Sequence, residues 1–210
     1  MKWQRIPLGP IQTNAYLFYN EEGDCLVIDP GSEGNKLNNY IKEKGLKPLA
    51  ILLTHAHFDH IGAVDKVRER WEIPVYIHAE EKDWLTSPEL NGSMRMGTEP
   101  ILANPAEHLI RSEQMLTIGP FILKVLETPG HSPGSVSYYH KESDLVFSGD
   151  ALFAGSIGRT DLIGGNHDLL IKSIHEKLLS LPEQTLVLSG HGPETSIEAE
   201  MDQNPFLNGF

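Results

Sequence analysis

The chain alternates short, uniformly apolar runs with longer stretches in which apolar residues recur every three or four positions. Leu26-Val27-Ile28, Ile51-Leu52-Leu53, Leu145-Val146-Phe147 and Leu186-Val187-Leu188 lack the apolar–polar alternation of a half-exposed strand, which marks strands buried on both faces. Each ends abruptly in a polar cluster: Asp29, Thr54-His55, Ser148-Gly149-Asp150 and Ser189-Gly190-His191. A fifth run, Phe121 to Leu126, leads through Thr128-Pro129-Gly130 to His131. Asn14 to Tyr19 and Cys25 to Ile28 flank Glu21-Glu22-Gly23-Asp24 and read as a hairpin.

Between the runs lie helical patterns. Leu37, Tyr40 and Ile41 keep helical spacing and Gly45 closes them; Val64, Val67 and Trp71 form a second set. Asn166 is placed to cap a third helix whose apolar positions Leu170, Ile174, Leu178 and Leu181 run up to Pro182. Strands alternating with helices predict an α/β architecture with helices covering sheets. No linker, low-complexity tract or repeat breaks the chain, so residues 1–210 are expected to form a single domain. Loops at one edge of a buried sheet share a crevice, so the repeated strand-end grammar predicts one polar site.

Charge narrows the partners. Seventeen Lys and Arg against 29 Asp and Glu give a formal charge of -12, which opposes approach to nucleic acid or an anionic membrane. No apolar run approaches the roughly 20 residues of a membrane span, and the first twenty residues lack a secretory apolar core, so a cytoplasmic protein is expected. One cysteine, Cys25, supplies neither a disulfide nor a thiolate zinc cluster. Any metal must be held by His and carboxylates, and the chain has ten His.

Four potential ligands crowd Thr54-His55-Ala56-His57-Phe58-Asp59-His60. In an extended segment His55 and His57 project to one side, and a helix beginning at Asp59 turns Asp59 and His60 toward the same point. Clustered polar groups directly after an apolar strand are costly to bury unless something satisfies them, which points to a metal.

This H-x-H-x-D-H box, with Thr-Pro-Gly-His at 128 to 131, Ser-Gly-Asp at 148 to 150 and Ser-Gly-His at 189 to 191, resembles the metallo-β-lactamase superfamily, in family order over nearly the whole chain. It is most similar to the glyoxalase II (hydroxyacylglutathione hydrolase) branch in a short form, since only about nineteen residues follow His191 where glyoxalase II carries a C-terminal helical domain. The resemblance implies a four-layer αββα sandwich with a dinuclear site at one edge of the two sheets. It assigns His55, His57 and His131 to one metal, Asp59, His60 and His191 to the other, and Asp150 as the bridge. Two Zn2+ ions are the expected cofactor, with Fe or mixed Fe/Zn/Mn as alternatives. The implied activity is hydrolysis of a small thioester by a metal-bridging hydroxide, with Asp59 the catalytic residue that orients it. A thiolate leaving group, with a conjugate acid pKa of about 8.5, departs without a general acid.

Two other readings use the same residues. Persulfide dioxygenases resemble this branch, share a Gly-Arg-Thr-Asp loop like Gly158-Arg159-Thr160-Asp161, and bind one iron through residues matching His55, His131 and Asp150. A lactonase differs in leaving group alone. Class B1 and B2 β-lactamases place Cys where Asp150 stands, which argues against antibiotic hydrolysis.

Arg159 suits a substrate carboxylate, or else a salt bridge to Asp161. Asp29 is placed to orient a ligand His from behind, or to form the Asp29-Pro30-Gly31 turn. His78 reads as a helix-start or packing residue, and His108, His140, His167 and His175 as solvated. Trp3, Trp71 and Trp84 read as core or rim residues. Ser87 to Pro105 suggests an irregular cover over the site, and the tail from Asn204 to Phe210 a docked or subunit-contacting end. The expected partner is a small-molecule substrate, with neither nucleic acid nor membrane, on a monomer or small homo-oligomer.

Overall fold

The computed structural model describes residues 1–96 and 99–207 and divides into two compact units. One comprises Met1–Arg111 with Ile118–Phe121, the other Ser112–Thr117 with the chain from Ile122 onward. Gly97 and Thr98 of the 87–105 stretch, and Asn208, Gly209 and Phe210 of the tail, lie outside the described residues.

The first six-stranded sheet keeps its strands in chain order: β1 (Lys2–Leu8), β2 (Thr13–Tyr19), β3 (Asp24–Ile28), β4 (Lys47–Leu52), β5 (Val75–His78) and β6 (His108–Ile110). β2 and β3 form the expected hairpin, with Tyr16 opposite Ile28 and Tyr19 opposite Cys25. From β3 to β6 the pairing is parallel, which demands crossovers. These are α1 (Gly34–Glu43), then α2 (Phe58–Ile61) with α3 (Val64–Trp71), then the segment 79–107. α1 buries Leu37 and Ile41 and α3 buries Val64 and Val67, the residues whose spacing predicts the helices. Asn38 ties the two helices, donating from Nδ2 to the Lys66 carbonyl (3.0 Å) and accepting from Trp71 Nε1 (2.9 Å). The carboxyl ends of β3 and β4 open directly into Asp29 and Thr54-His55.

The second sheet is built from β7 (Gln114–Ile118), β8 (Phe121–Glu127), β9 (Val136–His140) and β10 (Leu145–Gly149). A small hairpin, β11 (Leu152–Phe153) and β12 (Ser156–Ile157), intervenes before β13 (Leu186–Ser189) and β14 (Thr195–Ser196), and the spatial order is β14-β13-β10-β9-β8-β7. β10 and β13 are parallel neighbours, so their ends emerge side by side, with the Gly190 amide donating to the Gly149 carbonyl at 2.8 Å. That adjacency delivers Asp150 and His191 together.

Asn166 caps α4 (His167–Ser173) through Leu169 N at 3.0 Å, as its position predicts. The helix then widens into a π turn over Ile174–Leu178 and stops, so Leu181 does not continue the apolar stripe. A π turn carries one more residue than an α turn, which rotates everything after it; Leu181 is left partly buried against the core made by Leu170, Ile174 and Leu178. α5 (Ile197–Gln203) follows β14.

One expectation about the histidines is corrected. His140 is not solvated: it ends β9 at 2% exposure, accepts the Ser143 amide at Nδ1 (3.2 Å), and burial holds its imidazole below the ordinary histidine range. His108, His167 and His175 are exposed, and His78 starts a 3-10 turn by accepting the Glu80 amide at 3.4 Å. Among the described residues no helix is long and apolar enough to cross a membrane.

Candidate metal centre

In the first unit His55, His57 and His60 are buried together, the His55 ring meeting that of His57 edge-on and lying tilted against that of His60. The His55 ring centroid lies 4.8 Å from that of His57 and 4.1 Å from that of His60. The extended backbone at His57, immediately before α2, places His55 and His57 on one side. α2 begins at Phe58 rather than Asp59, which brings Asp59 Oδ2 to 3.5 Å from His60 Nε2.

Asp29 organises this cluster. It is 2% exposed and accepts three contacts: Thr54 N (2.8 Å) on Oδ1, and Thr54 Oγ1 (2.6 Å) and His60 Nδ1 (3.0 Å) on Oδ2. Its φ of 48° also makes it a turn residue, so the two roles expected for Asp29 coexist. Ligand-atom positions of Asp29, His55 and His60 lie within 4.8 Å of one another, but the oxygen facing His60 faces its Nδ1, the position of an orienting partner. Behind it Gly31 is obligatory: a Cβ there would overlap the Asp59 carbonyl oxygen.

Proton bookkeeping then assigns the tautomers. Thr54 has one hydroxyl proton and gives it to the Asp29 carboxylate, so its oxygen accepts from His55 Nδ1 at 3.1 Å. His60 Nδ1 donates to Asp29 for the same reason. Both rings therefore present Nε2 as the lone-pair nitrogen, the form a metal requires.

The second unit repeats the device. His131 is 3% exposed, and its Nδ1 sits 2.7 Å from the Arg159 carbonyl oxygen, which can only accept. Its Nε2 lies 3.6 Å from Asp150 Oδ2, and His191 Nε2 lies 3.5 Å from the same oxygen. One carboxylate oxygen thus serves two imidazoles, an arrangement suited to a bridging ligand. Gly158 is required by packing, since a Cβ would overlap the Asp150 carbonyl oxygen and stand 3.2 Å from His131 Cβ.

The Arg159 side chain is exposed and forms a bidentate pair with Asp161, 2.7 Å for each contact. The guanidinium holds the Asp161 carboxyl down to about 2. The salt bridge expected from sequence therefore forms, while the role the sequence did not suggest belongs to the Arg159 backbone.

Two further residues escaped the sequence, and Trp84, read there as a core or rim residue, joins them. Thr13, 1% exposed at the start of β2, donates from Oγ1 to Asp59 Oδ2 at 2.7 Å. Glu81, fully buried, accepts the Ala56 amide at 2.5 Å. Trp84 is 5% exposed with its ring 5.6 Å from that of His57. Glu81 lies in the charged run Glu80-Glu81-Lys82-Asp83, which locally reads as a solvated face.

Each unit thus offers imidazole nitrogens with a fixed tautomer and a carboxylate, without a thiolate, the donor types of a borderline divalent metal. A family model described as the metallo-beta-lactamase superfamily matches residues 8–191. The chain belongs to the metallo-β-lactamase superfamily. Its mixed α/β fold of two sheets and few helices is that family's fold. The chain is 66% identical over 210 residues to a probable metallo-hydrolase, YqgX, of Bacillus subtilis, covering 100% of this chain and 99% of the relative. It is 34% identical over 209 residues to the hydroxyacylglutathione hydrolase GloC of Haemophilus influenzae, covering 99% of each. Among solved structures it resembles the B3 metallo-beta-lactamase BLEG-1 (TM-score 0.98, 58% identity, 99% of this chain and 100% of that one). It also resembles TTHA1623 in a di-iron-bound form (TM-score 0.87, 45% identity, 97% and 100%). The chain is thus a metallo-hydrolase-type member of the superfamily, and its donor set calls for a divalent metal.

Proposed function

We propose that the chain is a dinuclear hydrolase of small hydroxyacyl thioesters. In this reading His55, His57 and His131 hold one metal, Asp59, His60 and His191 the other, and Asp150 bridges them, the division the superfamily motifs imply. The observation that carries two metals over one is the support built behind His60: a buried Asp29 carboxylate orients its Nδ1. A single iron on His55, His131 and Asp150 would leave that orienting device without a task.

A divalent pair bound by these donors supplies an acidified water and a Lewis acid for a carbonyl oxygen. The chain's residues do the rest. Asp59, held by Thr13, keeps a carboxylate oxygen in a set position to orient the attacking water. Asp150 adds negative charge where two cations would repel. As the new carbon–oxygen bond forms, the carbon–sulfur bond breaks and the sulfur leaves with its electron pair as a thiolate, so no general acid is needed. Arg159 binds a substrate carboxylate by exchanging its partner Asp161. The strongly acidic chain needs no nucleic-acid or membrane partner for this chemistry, and a cytoplasmic thioester pool suits it.

The likeness to a hydroxyacylglutathione hydrolase supports the thioester. The Gly158–Asp161 loop keeps the one-iron persulfide reaction in the comparison, and the likeness to a di-iron structure keeps iron beside zinc as the metal. The test is reconstitution of metal-free protein with zinc or ferrous iron. Each form is then assayed for thioester, lactone and β-lactam hydrolysis and for oxygen consumption with a low-molecular-weight persulfide. Two metals per chain with thioester turnover above the others is the expected result; one iron per chain with oxygen consumption overturns the reading.

A further inference from the structure

Of the imidazoles with assigned tautomers, each has its Nδ1 held by a different kind of acceptor. His55 faces the Thr54 hydroxyl, His60 the Asp29 carboxylate and His131 the Arg159 carbonyl. His57 is equally buried, at 5% exposure, and it follows Ala56, whose amide is bound by Glu81 Oε2. Glu81 itself is 0% exposed. A buried carboxylate is tolerated only when hydrogen bonds compensate its lost hydration, and the Ala56 amide, on the residue directly before His57, supplies one of them.

We propose that Glu81 is the positioning carboxylate for His57, accepting its Nδ1 proton while anchoring the Ala56 amide, and so presenting His57 Nε2 to the first metal. This rests on the metal assignment of the preceding section but not on the substrate. One side chain would fix both the backbone between His55 and His57 and the rotation of the second ring. The surrounding segment is built for such a clamp. The Asn91 carbonyl accepts the Phe58 amide at 3.0 Å, and Asn91 is itself buried, donating to the carbonyls of Trp84 (3.2 Å) and Ile101 (2.8 Å). The Glu81 carbonyl accepts the Trp84 amide at 3.0 Å, and Trp84 carries its ring to His57. The loop from Ala56 to Phe58 is thus gripped by Glu81, which precedes the stretch expected to be an irregular cover, and by the Asn91 carbonyl within that stretch.

The wild-type protein gives the first test. In the zinc-loaded, nitrogen-15 histidine-labelled chain, the correlation spectrum should show His57 protonated at Nδ1, with a strongly downfield proton that shifts in Glu81→Gln. A His57 protonated at Nε2, or a proton indifferent to Glu81→Gln, overturns the proposal.

Zinc competition against a chromophoric chelator gives the second. Glu81→Ala should weaken one of two zinc sites by about tenfold to a hundredfold. Glu81→Gln, which keeps an acceptor oxygen, should restore most of that affinity. A loss confined to the melting temperature in excess EDTA, with zinc affinity unchanged in both variants, would show a merely structural role and overturn the proposal. Neither readout uses substrate. Failure of the thioester assay with these results intact would sink the function and leave Glu81 in place.

Discussion

His131 Nδ1 lies 2.7 Å from the carbonyl oxygen of Arg159, so a buried imidazole is oriented by the backbone of a residue whose side chain points to solvent. The two halves of Arg159 are therefore separable by mutation. Arg159→Ala keeps the carbonyl and should keep full metal content, while raising KM for an anionic thioester by about twofold to fivefold, the effect of an exposed ion pair of up to about 1 kcal/mol. Metal analysis alongside steady-state kinetics checks this; loss of metal in Arg159→Ala would mean the side chain holds the loop.

Gly158→Ala should do the reverse. Its new Cβ would overlap the Asp150 carbonyl oxygen and press on His131, so the ligand-bearing loop must move. Metal content should fall below that of the wild type, and activity by at least about a hundredfold, because a displacement near 1 Å at a reacting site has that effect. Elemental analysis after dialysis against a mild chelator reads the outcome.

The Asp29 carboxylate can be tested without disturbing its turn. Asn tolerates a left-handed φ better than other non-Gly residues, so Asp29→Asn keeps the backbone while weakening the acceptor for His60 Nδ1 and Thr54 Oγ1. Metal affinity should fall by about tenfold to a hundredfold at one site. Asp29→Ala should be worse, since it adds backbone strain of about 1 kcal/mol. Competition titrations of the two variants separate the effects.

Thr13→Val removes the donor to Asp59 at nearly constant volume. A hydrogen bond to a charged group contributes about 1.5–3 kcal/mol, so kcat should fall by roughly tenfold or more, with Thr13→Ser close to wild type. Equal rates for Thr13→Val and wild type would remove Asp59 orientation from the mechanism.

Cys25 gives a pH prediction. Burial pushes its thiol up to about 12, only partly opposed by a backbone hydrogen bond at Phe18. The native thiol stays protonated where the unfolded one ionises, so the unfolded state gains from ionisation above about pH 9 and this contribution to stability is lost as pH rises from there. A disulfide reagent at pH 8 should find no reactive thiol in the native chain and one in denaturant. Cys25→Ser should flatten the alkaline limb of the stability profile relative to wild type.

Sequence alone determined the apolar runs of β3, β4, β10 and β13, the helices α1 and α3 with their buried faces, and the residue types that end the strands, whereas β8 alternates, with Ile122 and Lys124 exposed. Those features are local: burial on two faces, helical spacing and a crowded set of donors each leave a mark within a few residues. The partners that orient the ligands are not local. Asp29 meets His60 across 31 positions, Thr13 meets Asp59 across 46, and His131 meets a carbonyl 28 positions away. A carbonyl is common to every residue, a threonine at a strand start has many uses, and Glu81 sits in a run of charges, so none carries a signal in its own neighbourhood. His140 is the converse case, a histidine among polar residues that the sheet buries because β9 lies between β8 and β10. Tertiary structure decided these pairings because hydrogen-bond direction depends on where distant strands end, and only the assembled sheet sets that.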